Sequence, residues 1–138
     1  MTALVRMSDY WKPIVEAITG AEVQVDSGLG TSGFRAHRTG KSEIRWDPYC
    51  VGLKDVKGAS SLVTLMHEVG HALDPESHAA SLDIFHIWTE CDPDTVLRVE
   101  GRAWKIAEVV GSCLGIPTDD IRRHAKAGYE WYAKKVKR

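Results

Sequence analysis

The sequence predicts an α+β fold in a single domain spanning 1–138: a helix, a small three-stranded antiparallel or mixed sheet, a central helix packed on that sheet, and two further helices. Three observations carry this. Apolar residues recur at helical spacing around positions 8–18, 61–74, 93–114 and 118–136. Between the first two stretches, short alternating runs bounded by Gly and Asp-Pro read as strands. No repeat, low-complexity segment or linker divides the 138 residues, and a chain that is 43% apolar and 27% charged is long enough for one sizeable core.

Ser8 and Asp9 open the first expected helix, which carries Trp11, Ile14, Val15 and Ile18 on one face and has Gly20 past its end. Ala21 to Asp26 alternates and reads as a strand. Ser27 to Gly33 holds Gly28, Gly30 and Gly33 but lacks a Gly-Lys-Ser/Thr ending, so it reads as a hairpin turn or loop and not as a phosphate cradle. Phe34–His37 and Ser42–Trp46 flank a Thr39-Gly40-Lys41 turn, with Ile44 and Trp46 on one side of the last strand; the three strands read as a meander. Asp47-Pro48 ends it. The helix from Ser61 to Asp74 follows, with Leu62, Leu65, Met66, Val69 and Leu73 on its face and Pro75 as a stop. Glu76–Cys91 gives no clear pattern, although Leu82 to Trp88 could form a short helix. Asp92-Pro93-Asp94 is a strong start signal for the next helix, which Gly115 and Pro117 end. Thr118-Asp119-Asp120 opens the last, with Ile121, Ala125, Tyr129, Tyr132 and Val136 on its face.

The net charge of −1 provides no field that favours nucleic acid or a membrane surface. The basic residues Lys134, Lys135, Lys137 and Arg138 read as a solvated helix end. No apolar run approaches a membrane span, and Arg6, Asp9, Lys12 and Glu16 interrupt any secretory core near the N-terminus. Cys50, Cys91 and Cys113 are odd in number without Cys-x-x-Cys spacing, which fits reduced thiols of a cytoplasmic protein, with Cys113 in the core. The sequence does not set the oligomeric state.

The chemistry lies in His67-Glu68-Val69-Gly70-His71. At about 100° per residue, His67 and His71 differ by only about 40° and project side by side. Two imidazoles so placed can share one Zn²⁺, while Glu68 stands beside the ion as a free carboxylate. The ion acidifies a water, and the glutamate takes its proton and passes it to a leaving group. A catalytic zinc site needs a third protein ligand. Glu100 falls in the middle of the apolar stripe Val96, Leu97, Ala103, Trp104, Ala107, Val110, Leu114, where burying a carboxylate is costly unless a cation pairs with it. Small Ala103 and Ala107 let a neighbouring helix come close, so Glu100 can complete a His₂Glu set. A salt-bridged or rim-exposed Glu100 is the plainer alternative. His78 and Asp74 are rival ligands, and Asp74 could instead accept a hydrogen bond from a ligand histidine. A metzincin-like set would need Gly at 74 and a ligand at 77, where this chain has Asp74 and Ser77.

Leu65-Met66-His67-Glu68-Val69-Gly70-His71-Ala72-Leu73, followed by Glu100-x-x-Ala103-Trp104-x-x-Ala107, resembles the gluzincin-type zincin metallopeptidases, in particular the small phage- and prophage-associated and ImmA/IrrE-like members. The resemblance covers Ser42 to Leu114. It implies a minimal zincin fold, zinc held by His67, His71 and Glu100, Glu68 as general base, and a protein or peptide substrate. It also implies that Ser42–Trp46 lies at the cleft edge and pairs with an extended peptide, while a simple core strand with Ile44 and Trp46 inside is the alternative and is compatible with it. Trp104 departs from the pattern, which tends to a small polar residue there, and no helix-turn-helix accompanies the motif. Tyr49, His78, Tyr129 and Tyr132 are unranked as donors to the developing oxyanion. Two other classes stay open: a zincin-fold binding module with a structural metal, and a metal-dependent hydrolase of small molecules. Deaminases with a Cys-x-x-Cys site are excluded by its absence.

Overall fold

The computed structural model describes residues 3–26, 32–47, 61–82 and 91–136, and among these it is an α+β fold of five helices and one mixed three-stranded sheet. In chain order the elements are α1 (Ala3–Thr19), β1 (Glu22–Val25), β2 (Gly33–Ala36), β3 (Ser42–Trp46), α2 (Ser61–Ala72), α3 (Pro75–Ala80), α4 (Pro93–Cys113) and α5 (Thr118–Val136). None of these helices is long and apolar enough to cross a membrane. The expectations placed on Ser27–Thr31, Tyr49, Cys50 and Ile84–Trp88 lie outside the described residues.

The sheet order is β1-β3-β2, with β1 parallel and β2 antiparallel to β3. The expected meander is therefore wrong in its pairing, and the segment between β1 and β2 joins strands that are not neighbours. β3 takes the centre because Ile44 and Trp46 are its most apolar pair and both are fully buried. That also corrects the expectation that Ser42–Trp46 forms an edge. Both of its sides are occupied.

The two real edges are treated unequally. At β1 the Val23 N–H donates to Glu16 Oε2 (3.0 Å), and Lys12 Nζ donates to the Val23 carbonyl (2.6 Å), so two α1 side chains occupy the outward backbone groups. Such covering blunts a strand that could otherwise pair with another chain. At β2 the Ala36 N–H donates to the Ser81 carbonyl (3.2 Å). Backbone groups alternate sides along an antiparallel strand. The N–H and C=O of Phe34 therefore face the same way as those of Ala36, out of the sheet, and the described residues place no hydrogen bond on them.

α1 begins earlier than expected, at Ala3, so Ser8 and Asp9 lie inside it. It packs Trp11 and Val15 into the core and ends where Gly20 turns to φ 71°. α2 is buried from Val63 to Ala72, because the sheet covers one flank and α4 the other. It stops at Ala72. Pro75 does not merely end it: Pro75 is the first residue of α3, with Asp74 as N-cap accepting from the Glu76 N–H. α4 starts as expected, with Asp92 accepting from the Thr95 N–H at 3.1 Å. Cys113 is exposed, contrary to expectation, because the buried stripe there runs through Gly111, and a residue two places on lies about 200° around the helix. α5 runs back along α4: His124 meets Trp104, Tyr129 lies near Gly101, and Tyr132 packs on Val96 and Val99. Tyr129 is largely exposed, and His124 and Gly128 fill the inner face with Ile121.

α2 and α4 approach each other closely at Gly70. A Cβ added at Gly70 would overlap the Ala103 carbonyl oxygen and stand 2.8 Å from its carbon. A hydrogen atom is all that fits.

Candidate metal centre

That approach brings a carboxylate from α4 to two imidazoles of α2. His67 and His71 lie one turn apart, with ring centroids 4.6 Å from each other. Glu100 Oε2 is 2.7 Å from His67 Nε2, and Oε1 is 3.2 Å from His71 Nε2. All three are buried, Glu100 to 2% exposure. Glu68, beside His67 on α2, is 5% exposed. His67, Glu68 and His71 could hold a metal ion, since each offers one ligand atom within 4.8 Å of the others'.

Two carboxylates thus stand at one pair of imidazoles. Glu100 contacts both Nε2 atoms directly, whereas Glu68 lies about 100° around α2 from His67. Two donors each about 2.0–2.1 Å from a tetrahedral ion stand about 3.3 Å apart. Glu100 Oε1 lies at about that distance from His71 Nε2 and Oε2 somewhat closer to His67 Nε2, so this carboxylate stands within reach of a cation that the two imidazoles could hold.

The charges of the ion-free cluster agree. Burial works to raise the Glu100 carboxyl, but His71 and His67 outweigh it and hold the group well below the usual carboxylate range. Burial likewise opposes the charged form of His71, yet Glu100, with Glu68 and Asp74 behind it, raises its pKa above the ordinary 6.5. Both shifts favour positive charge between the imidazoles and the carboxylate.

His71 is held from behind. The Ser77 hydroxyl donates its single proton to Asp74 Oδ2 (3.0 Å), so it must accept from His71 Nδ1–H (2.9 Å). That fixes the neutral tautomer with its lone pair on Nε2, toward Glu100. Asp74 is fully buried. Burial pushes its carboxyl up, but Arg102, donating from two nitrogens at 3.0 and 2.9 Å, and Ser77 bring it below its ordinary value. Asp74 therefore does not accept from a histidine, contrary to expectation; it accepts from Ser77, whose oxygen faces His71 Nδ1. His67 is held differently, with its ring stacked on the Trp104 indole at 4.1 Å and 5°.

The structure brings together His67, Glu68, His71 and Glu100, the four residues singled out from sequence. His78 is not among them: its Nε2–H donates to the Ala72 carbonyl (2.7 Å), and its ring packs on Phe34. Of the described tyrosines, Tyr132 lies near the centre. Burial raises its phenol pKa well above the ordinary value, and Glu100 and Glu68 add to the effect, so the hydroxyl keeps its proton. The sequence reading missed Ser77, Arg102 and His124. Asp-Pro-Glu-Ser at 74–77 is itself a helix-start signal and could have located Ser77.

No family model matches the chain, and neither curated proteins nor solved structures yield a match.

Proposed function

We propose that this chain is a zinc-dependent metallopeptidase in which His67, His71 and Glu100 hold the ion and Glu68 is the general base. One observation carries the reading: a buried Glu100 carboxylate touching Nε2 of both histidines of a His-Glu-x-x-His helix, with a second buried carboxylate alongside. Two imidazoles and one carboxylate are the donor set of open, catalytic zinc sites. When bound, the ion supplies Lewis acidity, lowering the pKa of a water and polarising a carbonyl. Glu68 is placed to take a proton from an attacking water and would return it to the departing amine. Tyr132, kept neutral by its surroundings, donates to the oxygen on which negative charge develops.

A peptide substrate is favoured by the sheet. The Phe34 N–H and C=O point outward at the β2 edge, and the Phe34 ring stacks 6.3 Å from that of His71. An extended chain pairing there by β-augmentation would pass the histidines. β2 takes the role that the resemblance assigned to β3.

Metal analysis and cleavage of an unfolded protein substrate test the reading. The expected result is about one equivalent of Zn²⁺ in wild type and Glu68→Gln, a marked loss in Glu100→Ala, and chelator-sensitive cleavage by wild type alone. Tight metal binding by Glu100→Ala would overturn the ligand assignment. Cleavage by Glu68→Gln at the wild-type rate would overturn the base. A metal-loaded wild type that binds peptide and cleaves none would be a binding module.

A further inference from the structure

We infer that Trp104 is a positioning residue for His67, holding the plane of its imidazole by ring stacking as Ser77 and Asp74 hold His71 by hydrogen bonds; this rests on the metal-centre reading above. The final torsion of a histidine is soft, with broad wells, so a ring used as a ligand needs a second hold to aim its nitrogen. For His71 that hold is the Nδ1 contact to Ser77. For His67 it is the indole face, centroid to centroid 4.1 Å and within 5° of parallel. Glu100 and Trp104 are four apart on α4 and so share one face. The carboxylate meets the ring in its plane and the indole meets it from the side. Two contacts from one helix leave the imidazole no free rotation.

The choice of tryptophan points the same way. Trp104 is 6% exposed, and its Nε1–H has no hydrogen-bond partner among the described residues. A buried donor without an acceptor is a penalty that an aliphatic side chain such as Leu would avoid. The ring face therefore has a use that offsets the N–H. A π face also attracts an imidazole that carries positive charge, whether from a proton or a bound ion. Behind the indole, His124 is 3% exposed, at 5.4 Å between centroids, and burial pushes its pKa down to about 4. At neutral pH it packs as an uncharged ring and does not compete for the indole face.

The test compares metal binding in wild type, Trp104→Phe and Trp104→Leu, by competition with a chromophoric chelator, alongside thermal unfolding with metal removed. The Phe variant keeps a ring and should bind within about threefold of wild type, whereas the Leu variant should bind at least about tenfold more weakly. Co²⁺ should quench part of the indole emission in wild type and in Trp11→Phe, and that part should vanish in Trp104→Phe. If Leu fails to fold, Trp104→Met takes its place as a ringless, adaptable side chain. Wild-type affinity in the ringless variant, or undiminished Co²⁺ quenching in Trp104→Phe, overturns this inference and leaves the metal centre standing. A wild type that binds no metal overturns both.

Discussion

Ser77 joins two hydrogen bonds with opposite requirements. Its proton goes to Asp74, so its lone pair receives His71 Nδ1–H, and one hydroxyl sets which nitrogen of the ring can ligate. Partners of this kind are worth about 10–100-fold in metal affinity. Ser77→Ala should weaken Zn²⁺ binding by about that factor in a competition titration, and Ser77→Thr should recover most of it. Unchanged affinity in the Ala variant would remove the relay from the account. The residues of the centre were legible to different degrees. His67, Glu68 and His71 follow from helical period alone. Glu100 followed from a charge set in an apolar stripe, which is informative because burying it unpaired is costly. Ser77 was overlooked, because its role depends on α2 stopping at Ala72 so that the chain can turn at Asp74 and start a new helix at Pro75. Reading Pro75 as an end and not a beginning hid that corner.

The contact between α2 and α4 decides whether Glu100 reaches the histidines. Ala103 and Ala107 announced a close approach in the sequence. Their counterpart Gly70, inside the His-Glu-x-x-His motif, did not, since a motif glycine gives no sign of what faces it. Gly70→Ala places a methyl against the rigid Ala103 backbone, which cannot yield as a side chain would. The expected cost is about 1–3 kcal/mol of stability, together with weaker metal binding as α4 is pushed away. Thermal unfolding with and without Zn²⁺ measures both, and a variant matching wild type in each would show that the helices have slack. Strand order was the least legible feature. Alternation in a short strand tells which face is buried and nothing about which strand lies alongside. The parallel β1–β3 pairing could not be read from runs of four or five residues.

Across the whole molecule, stability and metal binding should respond to pH in opposite directions. The folded pKa of His71 is raised, so the stability from its pairing with Glu100 is full below the ordinary 6.5 and is lost as pH rises through the folded value. Glu100 is depressed, so its contribution is present above the ordinary 4.5 and is lost only as pH falls toward its lower folded value. Relative to Glu100→Gln, the chelated protein should therefore lose stability from about pH 6 to about pH 8.5; the comparison cancels His124, whose depressed pKa of about 4 acts in the opposite direction over this range. Zn²⁺ displaces the imidazole protons, so its stabilising increment should grow over the same range. Calorimetry at the two values decides the matter, and parallel shifts with and without Zn²⁺ would contradict the coupling. Acid acts elsewhere as well. The Glu16 carboxyl is held below its ordinary value first by the Val23 N–H, so sufficiently acid solution protonates it and slackens half of the latch on β1. A strand that is inert at neutral pH would then offer its backbone to the same strand of a second copy, and the protein would begin to form edge-to-edge dimers from the side of the sheet opposite β2.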